Sequence, residues 1–268
     1  MSGETRSATH TQGDFMQEHT LKGKVALITG GSRGLGAHTA QAMAALGADI
    51  AISYLHAAEQ AHALVKQLEA KGVRALAIQS DQADTGAAQA LVDQVMKHFG
   101  RLDILVNNAG VAVQGQKVDD PALRHEQLDW QWRVNVLGTV AVTRAAAQVM
   151  SDGGRIIFIG SALGTHVHFP GVADYAGTKA ALIGYAKGVA RDLGSRNITA
   201  NVVQPGVMPT DMAKQVLGDS VPEALLDIHP IRRIATLEEV AALICFLAGP
   251  HGGYISGDVL SVAGGTNA

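Results

Sequence analysis

"VALITGGSRGLG", residues 25–36, decides the fold. Its opening residues are aliphatic with no polar alternation, as in a strand buried on both faces. Glycines follow at 30, 31, 34 and 36. Gly30, Gly34 and Gly36 have the spacing G-x3-G-x-G, after a strand and at the start of a helix. Such glycines permit a tight turn and let backbone approach a pyrophosphate at the helix N-terminus. Ser32, Arg33 and Leu35 fill the turn between them. No Gly-Lys-Ser/Thr ending is present, which argues against a triphosphate loop.

Outward from this turn, short Val- and Ile-rich runs alternate with Ala-, Leu- and Gln-rich helical stretches. The runs lie at 25–30, 49–54, 73–79, 102–108, 155–161, 198–206 and 258–265. "AAEQAHALVKQLEAKG" is typical of the helical stretches, and Gly72 at its end suits a C-cap. This alternation predicts a single α/β domain over 21–268, a Rossmann-type doubly wound sheet of about seven parallel strands with helices on both faces. Residues 1–20, mostly polar, are expected to be a mobile N-terminal tail without the apolar core of a secretory signal.

Of 268 residues, 47% are hydrophobic and 17% charged, which is the composition of a globular chain. Lys and Arg number 21 against 24 Asp and Glu, a net charge of −3 that offers no basic field for nucleic acid or anionic lipid. No run is long enough to span a membrane. The single cysteine, Cys245, sits in the apolar run "AALICFLAG" and reads as a small buried hydrophobe; it fits a reducing cytoplasm.

The acid that reads a coenzyme ribose is expected about 20 residues after the glycine turn, at the end of the second strand. Ser53 and Tyr54 stand there instead. Arg33, inside the turn, supplies a guanidinium that can clamp a 2′-phosphate. Both features point to NADP(H) as cofactor.

"TGGSRGLG", "NNAG" (107–110), "NVLG" (135–138), "IGSALG" (159–164), "YAGTK" (175–179) and "QPGVMPT" (204–210) follow one another in this order. Together they resemble the classical short-chain dehydrogenase/reductase family, close to NADPH-dependent ketoreductases of the 3-oxoacyl-acyl-carrier-protein reductase type. The resemblance runs from about Gly23 to the C-terminus. It implies a catalytic tetrad at Asn135, Ser161, Tyr175 and Lys179, with Asn135 linking Lys179 to solvent through a water. It further implies coenzyme contacts from Asn108, Ala109 and Gly110, from Asp81 and Gln82 at the adenine, and from Pro205, Gly206, Val207 and Thr210 near the nicotinamide. It implies a homotetramer as well. The chain departs from the family at "VAGG" (262–265), where an Asp commonly precedes the Gly pair.

Tyr175 and Lys179 are spaced i, i+4, so they share one helix face with Cβ atoms about 6 Å apart. A free phenol titrates near ~10, too high for ready proton exchange at neutral pH. The ammonium is expected to lower that value. Ser161, at a strand end, can donate to the substrate oxygen as charge develops. The same spacing argues against enoyl reductases of related fold, which separate Tyr and Lys more widely.

The expected reaction is therefore hydride reduction of a small-molecule carbonyl to a secondary alcohol. Alcohol oxidation and a non-enzymatic nucleotide-binding regulator are the alternatives. His166, His168 and Phe169 border the substrate and are read as loop packing, with no metal site. Trp130 and Trp132 are read as core or interface, and Arg232 and Arg233 as a solvated or ion-paired face. Segment 207–230, with two short helical pieces, is expected to be a lid in which Met208 and Met212 offer adaptable apolar contacts.

Overall fold

The computed structural model describes residues 21–218 and 220–268, so the N-terminal segment expected to be a tail lies outside the described residues. Strands β1 (Val25–Ile28), β2 (Asp49–Tyr54), β3 (Ala75–Gln79), β4 (Ile104–Asn107), β5 (Arg155–Ile159), β6 (Thr199–Pro205) and β7 (Val259–Val262) form one sheet. Their order is β3-β2-β1-β4-β5-β6-β7, and every pairing is parallel.

The reason for unbroken apolar strands is visible in the packing. Along β1, Val25 and Leu27 join the core on one face while Ala26 and Ile28 join the core on the other. Helices α1 (Gly34–Ala45), α2 (Ala58–Glu69) and α9 (Leu237–Ala248) cover the Ile28 face through Met43, Leu68 and Ile244. Helices α3 (Ala87–Phe99), α5 (Thr139–Val149) and α6 (Ala173–Leu193) cover the Leu27 face through Leu91, Ala146 and Leu182. Helix α2 stops at Glu69, and Gly72 takes a left-handed φ of 86° just beyond it. A full capping box, Thr236 with Glu239, opens α9.

β1 pairs with β2 on one side and β4 on the other. Chain order reverses there, which opens a crevice at the C-terminal strand ends. The predicted runs overshoot the ladders at those ends: residues 29–30, 108 and 160–161 leave the sheet and face the crevice region as loops.

Helix α4 (His125–Trp132) runs into one π-helical turn, Arg133–Gly138, before α5. Gly138 closes that turn against the loop after β3. A Cβ added there would lie 1.8 Å from the Gln82 carbonyl oxygen. Backbone cannot yield as a flexible side chain does. Gly138→Ala is expected to lower stability by about 3 kcal/mol or more through overpacking. Denaturant unfolding checks this, and an unchanged midpoint would show the contact at Gln82 to be soft.

Candidate active site

The glycine turn is tied to β4 by a small polar knot. Thr29 Oγ1 accepts from the backbone N–H of Asn108 at 3.1 Å and of Ala109 at 3.0 Å. Asn108 Nδ2 donates back to the carbonyls of Thr29 and Gly30, at 2.9 and 3.0 Å. The knot leaves no room for side chains: a Cβ on Gly36 would lie 2.6 Å from Asn108 Nδ2, and one on Gly30 2.9 Å from Ala109 Cα. Gly30 has φ of 61°. A turn pressed this close to β4, with α1 opening behind it, fits a dinucleotide pyrophosphate.

Ser53 Oγ accepts from Gly30 N at 3.2 Å, and Ser53 O accepts from Gly31 N at 2.9 Å. Ser53 thus braces the turn. Tyr54, expected at the coenzyme, is buried and stacks edge-on against His62. Leu35 is likewise buried in the core, so a ligand meets its backbone alone. Arg33 is exposed and pairs with Asp211, Nη1 to Oδ2 at 3.3 Å. Asp81 Oδ1 accepts from Ala83 N at 2.8 Å, an Asx turn that shapes the loop after β3. Gln82 beside it packs its backbone on Gly138.

The four tetrad positions come together at the ends of β4 and β5. Ser161 leaves β5 and caps a short turn, its Oγ accepting from Leu163 N at 3.2 Å. Its hydroxyl also acts on the Tyr175 phenol in the direction that favours the phenolate. Tyr175 and Lys179 sit one turn apart on α6, both buried, with Lys179 Nζ 5.8 Å from the phenol ring centre. Lys179 Nζ donates to Ile159 O at 2.9 Å, which takes one of its three N–H donors and leaves two for a ligand. Gly110 lies beside it: an added Cβ would be 3.4 Å from both Lys179 Nζ and Asn135 Oδ1. A lysine with donors to spare beside a side-chain-free cradle fits a ribose edge.

Asn135 sits inside the π-helical turn. Its Oδ1 accepts from Val111 N at 2.8 Å, and its Nδ2 donates to Val111 O at 2.9 Å and to Thr178 Oγ1 at 3.1 Å. Thr178 in turn donates to Tyr175 O at 2.7 Å. The sequence reading missed Gln131, one turn before Asn135. It is fully buried, and its Oε1 accepts from Val113 N at 2.6 Å. The two amides, i and i+4, hold the loop after β4 in place. That spacing was the available signal. Trp132 Nε1 donates to Asp174 Oδ1 at 2.9 Å and fixes the start of α6 just ahead of Tyr175.

The electrostatics correct one expectation. Burial raises the Tyr175 phenol above its ordinary value, with the Ser161 hydrogen bond acting the other way. Lys179 is not what sets it. The same burial depresses the lysine to about 8. Both groups lose water together, and desolvation outweighs their mutual influence. The phenol is therefore held protonated.

Around the mouth, Gly115 N donates to Gly171 O at 2.8 Å, joining the loop after β4 to the loop before α6. His166 and His168 are exposed and stacked at 6.3 Å, and among the described residues no group of three potential ligands could hold a metal. Pro205 ends β6, Gly206 N donates to Val262 O, and Val207 O accepts from Ala235 N. Thr210 caps helix α7 (Asp211–Leu217), and helix α8 (Glu223–Asp227) follows; these are the two pieces of the expected lid. Met208 packs partly against the core, so of the two methionines it is the more fixed. A cavity of about 420 Å³ lies beyond Gly206 and Val207, beside β7, and none of the four tetrad residues lines it. Arg232 pairs with Glu223 and Asp227, and Arg233 with Glu239. Burial pushes the Cys245 thiol up to about 12, which leaves it inert.

Comparison with known proteins agrees with this geometry. The family model described as enoyl-(acyl carrier protein) reductase matches residues 30–267. Versicolorin reductase 1 of Aspergillus parasiticus is 36% identical over 258 residues, covering 92% of this chain and 97% of its own. The 3-oxoacyl-[acyl-carrier-protein] reductase FabG of Staphylococcus aureus is 37% identical over 246 residues, covering 90% and 97%. Among solved structures, a short-chain dehydrogenase from Burkholderia cenocepacia in complex with NADP superposes with a TM-score of 0.87 at 47% identity, over 92% of this chain and 99% of that one. A blue fluorescent protein from a metagenomic library, in complex with NADPH, gives 0.88 at 42% identity over 93% and 100%. The chain belongs to the classical short-chain dehydrogenase/reductase family.

Proposed function

We propose that this protein is an NADPH-dependent carbonyl reductase that converts a small-molecule ketone to a secondary alcohol. The observation that carries this reading is a buried Tyr175 one helical turn from a buried Lys179, whose Nζ lies 5.8 Å from the phenol ring centre and beside Gly110 of the loop after β4. The four-residue spacing of Tyr175 and Lys179 supports carbonyl rather than enoyl reduction.

Bound reduced nicotinamide supplies the hydride. Ser161 donates a hydrogen bond to the carbonyl oxygen as negative charge gathers there. Tyr175 gives its phenolic proton to the same oxygen. A phenol, ordinarily near ~10, is the acid at neutral pH as reduction requires, and burial moves it further in the same direction. Lys179, at about 8 still mostly charged at neutral pH, would use its free N–H donors on the nicotinamide ribose and stabilise the phenolate left behind. Asn135 and Gln131 keep the loop after β4 clear of that position. Ser32, Arg33, Gly34 and the backbone of Leu35 and Gly36 are the proposed pyrophosphate and 2′-phosphate contacts. Asn108, Ala109 and Gly110, Asp81 and Gln82, and Pro205 to Val207 with Thr210 are the remaining proposed coenzyme contacts. Segment 207–230 is the proposed lid over the crevice.

Among the described residues no helix is long and apolar enough to cross a membrane. The cytoplasm is the proposed location, in keeping with one inert cysteine. A homotetramer is the proposed assembly. Trp130 and Leu137 expose apolar surface around α4, and Phe246 and Tyr254 do so near β7, which supplies two separate faces for subunit contact. Sedimentation velocity is expected to give four subunits per particle; a monomer would reject the assembly.

Tyr175→Phe is expected to cut kcat for ketone reduction by about 10²-fold or more while leaving NADPH affinity nearly unchanged. NADPH absorbance decay across a ketone panel reads the first quantity and fluorescence titration the second. Turnover equal to the unaltered protein would remove Tyr175 from the chemistry.

Lys179 also makes stability depend on pH. Its folded value, about 8, lies below its ordinary 10.5, so between them the unfolded chain binds more protons. Stability contributed by this group therefore rises as pH climbs from about 8. The slope is expected to flatten in Lys179→Met, measured by denaturant unfolding of the coenzyme-free protein at pH 8 to about 10. Parallel slopes for the two proteins would contradict the burial of the ammonium.

A further inference from the structure

The Arg33–Asp211 pair joins the glycine turn to the first residue of α7, two points 178 residues apart in sequence. Thr210 sits beside it over Gly34, with Cγ2 3.5 Å from where a Cβ on Gly34 would lie. The start of the proposed lid therefore rests on the turn itself. Both side chains are more than half exposed, at 64% and 59%. Among the described residues Arg33 has no other ion pair.

We propose that Asp211 is a specificity-determining residue that competes with the coenzyme 2′-phosphate for Arg33, and so sets how far NADPH is preferred over NADH. The inference rests on the dinucleotide reading above. An exposed carboxylate pair at 3.3 Å is weak and easily exchanged. A phosphate carries more charge and presents oxygens that match both arms of the guanidinium fork. When it takes the fork, the Asp211 carboxylate faces a second anion and loses its partner. Coenzyme carrying the 2′-phosphate thereby releases the start of α7, while coenzyme lacking it leaves the contact intact. Asp211 thus subtracts from NADPH affinity and leaves NADH affinity alone.

The test uses the full-length protein and two fragments that differ only in the 2′-phosphate: adenosine 2′,5′-bisphosphate and adenosine 5′-monophosphate. Calorimetric titration of Asp211→Asn is expected to show the bisphosphate bound about fivefold more tightly, the order of an exposed ion pair, with the monophosphate unchanged. Asp211→Glu, which restores a carboxylate, should return the ratio toward that of the unaltered protein. In an Arg33→Ala background the Asp211→Asn change should have no effect on either fragment. Hydrogen exchange over α7 should be faster with the bisphosphate bound than with the monophosphate. If the unaltered protein binds both fragments yet Asp211→Asn leaves their ratio unchanged, or weakens the bisphosphate, the competition is wrong and the dinucleotide site stands. If the unaltered protein binds neither fragment nor NADPH, the dinucleotide reading falls and this inference with it. Thermal unfolding of each variant confirms that the fold is intact, since Asn keeps the shape of Asp at the helix start.

Discussion

The Thr29 hydroxyl accepts two backbone N–H groups from the chain leaving β4, and Asn108 returns two hydrogen bonds to the chain leaving β1. Four bonds at one strand junction set the spacing between the glycine turn and Gly110. Gly110, in turn, stands against Lys179 and Asn135. The spacing between the glycine turn and Lys179 is therefore set by two neighbouring parallel strands. A hydride must cross only a few ångströms, and misplacement of an ångström is costly. Building both halves on the same strand junction removes most of that freedom.

Burial does two opposite things to the catalytic pair. It keeps the phenol protonated and it weakens the ammonium. In the coenzyme-free protein neither change looks like activation. The site is tuned for the moment when the crevice holds a ligand. Lys179 then gains acceptors for its spare donors, which favours the charged form, and the alkoxide produced in reduction is a far stronger base than any phenolate. A phenol that stays protonated until that base forms does not lose its proton to water beforehand. The i, i+4 geometry places one ammonium within 5.8 Å of the phenol ring centre while it keeps a hydrogen bond to Ile159 O.

The fold was legible because each strand carries its signal locally. The central strands β1 and β4 are almost wholly aliphatic and buried on both faces, and the helices between the strands are rich in Ala and Leu. Strand ends were less legible. The runs over-extend to Gly30, Asn108 and Ser161, because these residues continue an apolar stretch in sequence while their backbone turns off to build the crevice. The tetrad was legible as a set of motifs. Its electrostatics were not, since burial depends on loops and helices distant in sequence, and here burial moves the Tyr175 phenol upward where a lowering was expected. Tyr54 shows the same limit: it stands at the strand end where a coenzyme contact belongs, yet its ring packs beside His62. Gln131 had a readable spacing from Asn135, but a buried amide on a helix resembles a surface one in sequence. Asp211 gave no signal, because its partner lies 178 residues away and only the tertiary fold brings them together.

That last contact divides the crevice into two mechanical parts. On the β1–β4 side, polar groups are buried and doubly bonded, and glycines are pressed against backbone. On the α7 side, an exposed ion pair links the helix start to the turn, and Thr210 Cγ2 lies 3.5 Å from where a Cβ on Gly34 would stand. Buried networks resist change, whereas exposed pairs exchange with little loss. A site that must hold a hydride donor rigidly and also admit a large coenzyme needs both kinds of contact. Arg33 stands at the border between the two, reaching outward from the glycine turn to Asp211 at the start of α7.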